Sequence, residues 1–277
     1  MLQSHQSPLH IGAVTLIAKD APRLGEFYQK IIGLDIVDRH EGRMSLGSGG
    51  EAYLHLIHSP KTALESPRSA GLFHTAFLLP SRASLGRWFT GAHGRGAEFS
   101  GASDHGVSEA FYLDDPEGNG IEVYADRPRG EWPRRAGGVN MTTERMDVDG
   151  VVSAGRSAPI VDGFPPQARI GHVHLRVGDI NAVRSFYVDQ IGLQEMDRRP
   201  GGVFYSAGGY HHHIATNQWQ SAGAPARPAG TTGLAEVEIR VTEPAAMSIL
   251  RTKAPAQADG TIALRDPAGI TFKVRSG

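Results

Sequence analysis

The chain has 277 residues, with 28 Lys and Arg against 29 Asp and Glu for a net charge of −1, and with 40% hydrophobic and 21% charged residues. That length suits two domains, and that balance suits a globular fold with no field to hold nucleic acid or an anionic membrane. Cysteine is absent, which excludes disulfides, thiolate nucleophiles and cysteine-bound zinc or iron–sulfur centres, so any metal must sit on His, Asp, Glu or Tyr.

In chain order, residues 13–17 alternate as a strand, Asp20 precedes a helix carrying Leu24, Phe27, Tyr28, Ile31 and Ile32 at helical spacing, and Gly33 suits its left-handed end. Short strands follow, the last of them holding His55 in Tyr53-Leu-His55-Leu-Ile. A second unit reads as a strand over 73–79, a helix over 85–93 and strands over 110–114 and 120–124. Residues 127–168 carry Pro, Gly and mixed charge, which is linker chemistry with local structure around 139–152; Trp132 and the arginines of 127–135 read as solvated linker rather than as an RNA-stacking patch.

The pattern then begins again. Ile11, Gly12, Asp20, Phe27, Tyr28, Ile32, Gly33 and Leu34 recur at one constant offset as Ile170, Gly171, Asp179, Phe186, Tyr187, Ile191, Gly192 and Leu193. A last unit runs through 235–241, 245–253, 262–264 and 270–274. The expected architecture is α+β: four βαβββ modules in two pairs, an N-terminal domain over 8–150 and a C-terminal domain over 169–277, each a curved open sheet around a cleft with helices outside.

Four such modules resemble the vicinal oxygen chelate superfamily of glyoxalases, bleomycin- and fosfomycin-resistance proteins and type I extradiol dioxygenases. Within 104–126, His105, Phe111, Tyr112, Asp115, Pro116, Gly118 and Glu122 stand at the spacing of the extradiol ring-cleavage signature, with Ser103 departing from it. The chain is thereby most like two-domain catechol 2,3-dioxygenases. The resemblance implies an enzyme of aromatic compound catabolism, with Fe(II), or alternatively Mn(II), Ni(II) or Zn(II), as cofactor and a small aromatic diol and O₂ as partners. It also implies Glu122 as a metal ligand, His105 as acid and base, and Tyr112 as hydrogen-bond donor to a substrate oxygen. The alternatives are a glyoxalase-type isomerase or lyase and a non-catalytic binding protein of the bleomycin-resistance type.

The residues themselves support part of this. Glu122 sits between Ile121 and Val123 in a strand, where an unpaired carboxylate is costly unless a metal or an arginine meets it. His74 opens its strand at the place where the family's second module supplies a ligand; alone it would read as a strand-end imidazole bonded to backbone. The third ligand is harder to place, because the repeat puts Ala13 opposite His172; His10 and His55 are the available imidazoles, and His55 is preferred. In the second half, His172, His212 and Glu236 could form another metal site, while a polar pocket wall, with Tyr210 and Trp219 as an aromatic recess, is the reading favoured there. The first residues have neither a basic start nor an apolar run, and no stretch reaches the ~18 apolar residues of a membrane span. A cytoplasmic protein without membrane or nucleic-acid partners is expected, and assembly as a homo-oligomer stays open.

Overall fold

The structure is a computed structural model that describes residues 2–136, 138–160 and 163–277. The first module is β1 (Leu9–Ala18), α1 (Ala21–Phe27), β2 (Asp35–His40), β3 (Arg43–Ser48) and β4 (Glu51–His58). The second is β5 (Gly71–Leu79), α2 (Arg82–Gly94), β6 (Gly101–Asp104), β7 (Ser108–Asp114) and β8 (Gly120–Asp126). A two-residue ribbon, β9 (Arg134–Arg135) with β10 (Gly138–Val139), and α3 (Val148–Gly155) lead to the third module: β11 (Arg169–Arg176), β12 (Gln194–Arg199), β13 (Gly202–Ser206) and β14 (Ile214–Asn217). The fourth is β15 (Gly233–Val241), α4 (Pro244–Lys253), β16 (Ile262–Arg265) and β17 (Thr271–Ser276).

The expected modules are present, and they are paired. Their partners are not the consecutive ones. One seven-stranded sheet runs β16-β17-β15-β1-β4-β3-β2 and the eight-stranded sheet runs β12-β13-β14-β11-β5-β8-β7-β6. The first module is thus hydrogen-bonded to the fourth through β1 and β15, and the second to the third through β5 and β11, both antiparallel. The sheets therefore cut across the expected division at 8–150 and 169–277. Sequence reading missed this because β1 and β11 carry the same local pattern, and strand partnership is a long-range choice that local pattern does not encode.

Consecutive modules meet instead through helix ends and hairpin tips. The Tyr28 hydroxyl donates to Asp115 Oδ2 at 3.1 Å, and the repeat-related Tyr187 donates to Asp266 Oδ2 at 2.7 Å. Asp115 Oδ1 also accepts from the backbone of Glu117 and Asn119, which closes the turn between β7 and β8. Glu117 accepts from the Lys19 and Asp20 backbone at 2.9 and 2.7 Å, tying that turn to the start of α1. Helices α1, α2 and α3 begin on side-chain caps, Asp20 to Arg23 N at 3.1 Å, Ser81 to Ser84 N at 3.1 Å and Asp147 to Gly150 N at 2.9 Å. Both repeat copies end their first helical segment on a left-handed glycine, Gly33 at φ 95° and Gly192 at φ 91°, as the sequence predicts.

The segment read as solvated linker is partly built into the protein. Trp132 is buried, donates from Nε1 to the Arg127 carbonyl at 2.9 Å, and packs with Val139, Met141, Met196, Phe204 and Tyr210. Its prolines and arginines masked a short apolar series that closes one side of the eight-stranded sheet.

Candidate metal centre

The register of the eight-stranded sheet builds the site. Ala76 on β5 pairs with Glu122 on β8 to one side and with His172 on β11 to the other, while His74 lies two residues before Ala76 on the same face. Alternation therefore aims His74, Glu122 and His172 into one cup, with a methyl group between them. One ligand atom from each of the three lies within 4.8 Å of the others, close enough for bonds of about 2.0–2.2 Å to a shared ion. His74 Nε2 stands 3.0 Å and His172 Nε2 stands 3.3 Å from Glu122 Oε2.

All three side chains are buried, and apart from the approach of their Nε2 atoms to Glu122, His74 Nε2 and both His172 nitrogens have no hydrogen-bond partner. Buried polar atoms without partners are costly. Two imidazoles and one carboxylate converging on one point would recover that cost by holding a divalent ion, so the residues present fit a metal. Burial acts to raise the Glu122 carboxyl, but His172 and His74 outweigh it and hold it well below the usual range. Burial pushes His172 down to about 4 against the pull of Glu122. A carboxylate facing neutral imidazole is the protonation state a metal requires.

His172 is the ligand candidate that sequence reading placed elsewhere, and the preferred His55 is corrected. His55 lies on β4 in the other sheet, beside Thr15, with Nδ1 2.9 Å from Ser45 Oγ. Glu236 is in that sheet as well, across β1 from His55 and paired with Thr15, so His172, His212 and Glu236 do not form one site. Only the two histidines meet, with ring centroids 4.0 Å apart. His10 borders a different cavity, with Glu51 and Arg240. In the seven-stranded sheet the row equivalent to His172, Ala76 and Glu122 reads Ala13, Glu238 and Lys273; Glu238 is engaged by Arg240 at 3.0 Å and Arg275 at 3.5 Å. That row carries one carboxylate and no imidazole. The signal was available: the position vacant at Ala13 is filled at His172, and exchanging the two first strands completes the candidate ligand set.

The signature residues divide by role. Phe111 faces the other way and stacks on Phe89 at 4.1 Å, while Asp115, Pro116 and Gly118 form the turn. His105 and Tyr112 are joined at 2.7 Å, Nε2 to hydroxyl. His105 Nδ1 lies 2.8 Å from the Thr142 carbonyl, which can only accept, so a neutral His105 carries its proton on Nδ1 and receives the Tyr112 hydroxyl hydrogen at Nε2. Burial and the neighbouring Glu122 push the Tyr112 phenol well above its ordinary value, leaving it a donor.

Aromatic rings pack around His74, His174 and His212. Phe73 lies 4.9 Å from His174 and 5.6 Å from Trp219, and Phe204 lies 5.8 Å from His174 and 5.1 Å from His212. Of the two aromatics expected to line a recess, Trp219 is 51% exposed, whereas Tyr210 is fully buried. Burial and the imidazoles of His74 and His172 push His174 well below its usual range, and burial with His172 and His211 does the same to His212.

Ala76 is the small residue on which this geometry depends. Ala76→Leu is expected to fill the space between Glu122 and His172 and reduce bound metal to a small fraction of one per chain, whereas Ala76→Gly retains it. Elemental analysis of both variants, with circular dichroism as the folding control, checks this; equal metal in both would show that the ion site lies elsewhere.

Among the described residues no helix is long and apolar enough to cross a membrane. The chain is 38% identical over 231 residues to the Bacillus subtilis (strain 168) protein named catechol-2,3-dioxygenase, covering 81% of this chain and 80% of that one. Its fold is similar to that of a candidate dioxygenase from Bacillus subtilis, at TM-score 0.62 and 14% identity, covering 96% of this chain and 84% of that one. It is also similar to glyoxalase I from Zea mays, at TM-score 0.58 and 13% identity, covering 99% and 94%. The family model for the Glyoxalase/Bleomycin resistance protein/Dioxygenase superfamily matches residues 10–123 and 169–274, so both halves of the chain belong to that superfamily.

Proposed function

We propose that the chain is a metal-dependent extradiol-type dioxygenase that opens the ring of a catechol-like aromatic diol, breaking the carbon–carbon bond beside the two hydroxyls and placing both atoms of O₂ in the product. The observation that carries this reading is the convergence of His74, Glu122 and His172 within 4.8 Å, in a chain 38% identical to a protein named for that activity. Two imidazoles and a carboxylate that leave positions open are the donor set suited to Fe(II) in oxygenases. The ion, when bound, supplies Lewis acidity that favours the ionised diol and open positions for both reactants.

The chain's own groups have separate tasks. His74, Glu122 and His172 would hold the ion. Phe73, His174 and Phe204 would clasp a flat ring, since faces and edges of aromatics pack favourably against one another. Tyr112, kept as a neutral phenol, donates a hydrogen bond toward oxygen. His105, bare at Nε2 once Tyr112 turns to substrate, can accept a proton there. His212, buried against His172 and held neutral, is a second proton acceptor on the opposite wall.

The test is protein loaded anaerobically with Fe(II) and assayed over a panel of catechols for O₂ uptake together with ring-opened product. Glu122→Ala is expected to lose both metal and turnover, and His105→Ala to keep metal while turnover falls by about 10²-fold or more. Turnover without O₂ would instead indicate a glyoxalase-type isomerase. Ring cleavage unaffected by either variant would overturn the assignment.

A further inference from the structure

Behind His212 lies a chain of polar groups, His211, Asp126 and Tyr210, that the reaction above does not use. His212 Nδ1 is 2.8 Å from His211 Nδ1. His211 Nε2 is 2.9 Å from Asp126 Oδ1, and the same oxygen accepts the Tyr210 hydroxyl at 3.0 Å. Burial of these groups is nearly complete: the His211 side chain is 0% and that of Asp126 6% exposed. Trp132 packs on the His211 ring at 5.2 Å and His172 on the His212 ring at 4.0 Å.

With Asp126 ionised and both imidazoles neutral, the proton positions follow from valence. An ionised carboxylate only accepts, so the proton between Asp126 and His211 belongs to His211 Nε2. Neutral His211 then has a lone pair at Nδ1. Two imidazole nitrogens at 2.8 Å share a hydrogen bond only when one proton lies between them, so that proton is carried by His212 Nδ1. Neutral His212 is then bare at Nε2, the end of its ring that His211 does not engage.

We propose that Asp126, acting through His211, is a positioning residue that locks His212 in the Nδ1-protonated tautomer and so presents its Nε2 lone pair to the substrate. The task given to that lone pair rests on the dioxygenase reading; the tautomer does not. Two histidines in direct sequence, each of which could adopt either tautomer, are set by a single carboxylate on β8, four residues after the ligand candidate Glu122.

Asp126→Asn is the discriminating variant, because a side-chain amide can donate where the carboxylate must accept. Donation to His211 Nε2 would move that ring's proton to Nδ1, and His212 would then accept at Nδ1 and be protonated at Nε2. Long-range proton–nitrogen correlation on nitrogen-15-labelled, metal-free protein reads both tautomers directly. The expected result is His212 protonated at Nδ1 in the wild type, with Nε2 protonation gained in Asp126→Asn. After Fe(II) loading, the metal content of the variant should be unchanged and its kcat lower by about 10²-fold or more at similar KM. Wild-type His212 protonated at Nε2, or a tautomer indifferent to Asp126→Asn, would overturn the proposal. Should that variant not fold, His211→Phe removes the acceptor and is expected to leave His212 as a mixture of tautomers; a single Nδ1-protonated form there would overturn it equally. A correct tautomer in a protein that consumes no O₂ would leave the relay standing and remove only the reaction.

Discussion

His172→Ala is expected to abolish stoichiometric metal binding, and His55→Ala to leave it intact. Both histidines are partly or fully buried and both have a claim from sequence, but they occupy different sheets: His172 lies across β5 from Glu122, and His55, on β4 beside β1, is hydrogen-bonded to Ser45 of β3. Removing one of three ligands leaves His74 and Glu122, which cannot define a closed site, and affinity should fall by well over the ~10²-fold seen for groups that merely support ligands. The readout extends to stability. A metal present at 100 times its Kd stabilises the folded state by about 2.7 kcal/mol, which for a chain of this size is a rise in melting temperature of a few degrees. Wild type and His55→Ala should show that rise on adding Fe(II) or Mn(II) anaerobically, and His172→Ala should show none. A metal-dependent rise that survives in His172→Ala would mean that the second and third modules do not jointly hold the ion.

This experiment also separates what the chain reveals locally from what it does not. The duplication is legible because Tyr28 and Tyr187, and Gly33 and Gly192, solve the same local problem at a helix end in the same way, and the structure adds Asp115 and Asp266 as matching turn acceptors. His74, Glu122, His105 and Tyr112 are legible because one hairpin and the strand beside it suffice to bring them together. The third ligand candidate is not, because its place depends on whether β5 pairs with β1 or with β11. The two strands differ at the decisive position only by Ala13 against His172, and the free energy that selects the partner is spread over whole sheet faces. Trp132 illustrates a different loss. Its neighbours are arginines, glycines and prolines, and its burial is produced by Met196, Phe204 and Tyr210 from the third module, which no local window contains.

Acid should unfold the metal-free protein well before its carboxylates are neutralised. Burial holds His213 at about 3, and His10 and His172 at about 4, against about 6.5 in the unfolded chain. For groups depressed on folding, the unfolded state takes up protons first as the pH falls. Their stabilising contribution is complete above about 6.5 and is lost progressively as the pH drops toward 4. Each costs about 1.4 kcal/mol per pH unit across that window, so three together cost on the order of 4 kcal/mol per unit, against a total stability of about 5–15 kcal/mol. The buried carboxyls of Asp115 and Asp266, raised by burial, act in the opposite sense, because the folded state binds their protons more readily, and so moderate the slope. Urea midpoints measured in chelator at pH 7.5, 6.0 and 5.0 should therefore fall steadily. His213→Gln isolates one contribution, since His213 lies outside the metal group, bonded to Ser206 Oγ at 2.8 Å and to the Ser4 carbonyl at 3.0 Å. That variant should be less stable at pH 7.5, where two buried hydrogen bonds are disturbed, yet lose about 1.4 kcal/mol less per pH unit below 6.5. A midpoint flat from pH 7.5 to 5.0, or an unaltered slope in His213→Gln, would show that these imidazoles are already protonated, or solvated, in the folded protein.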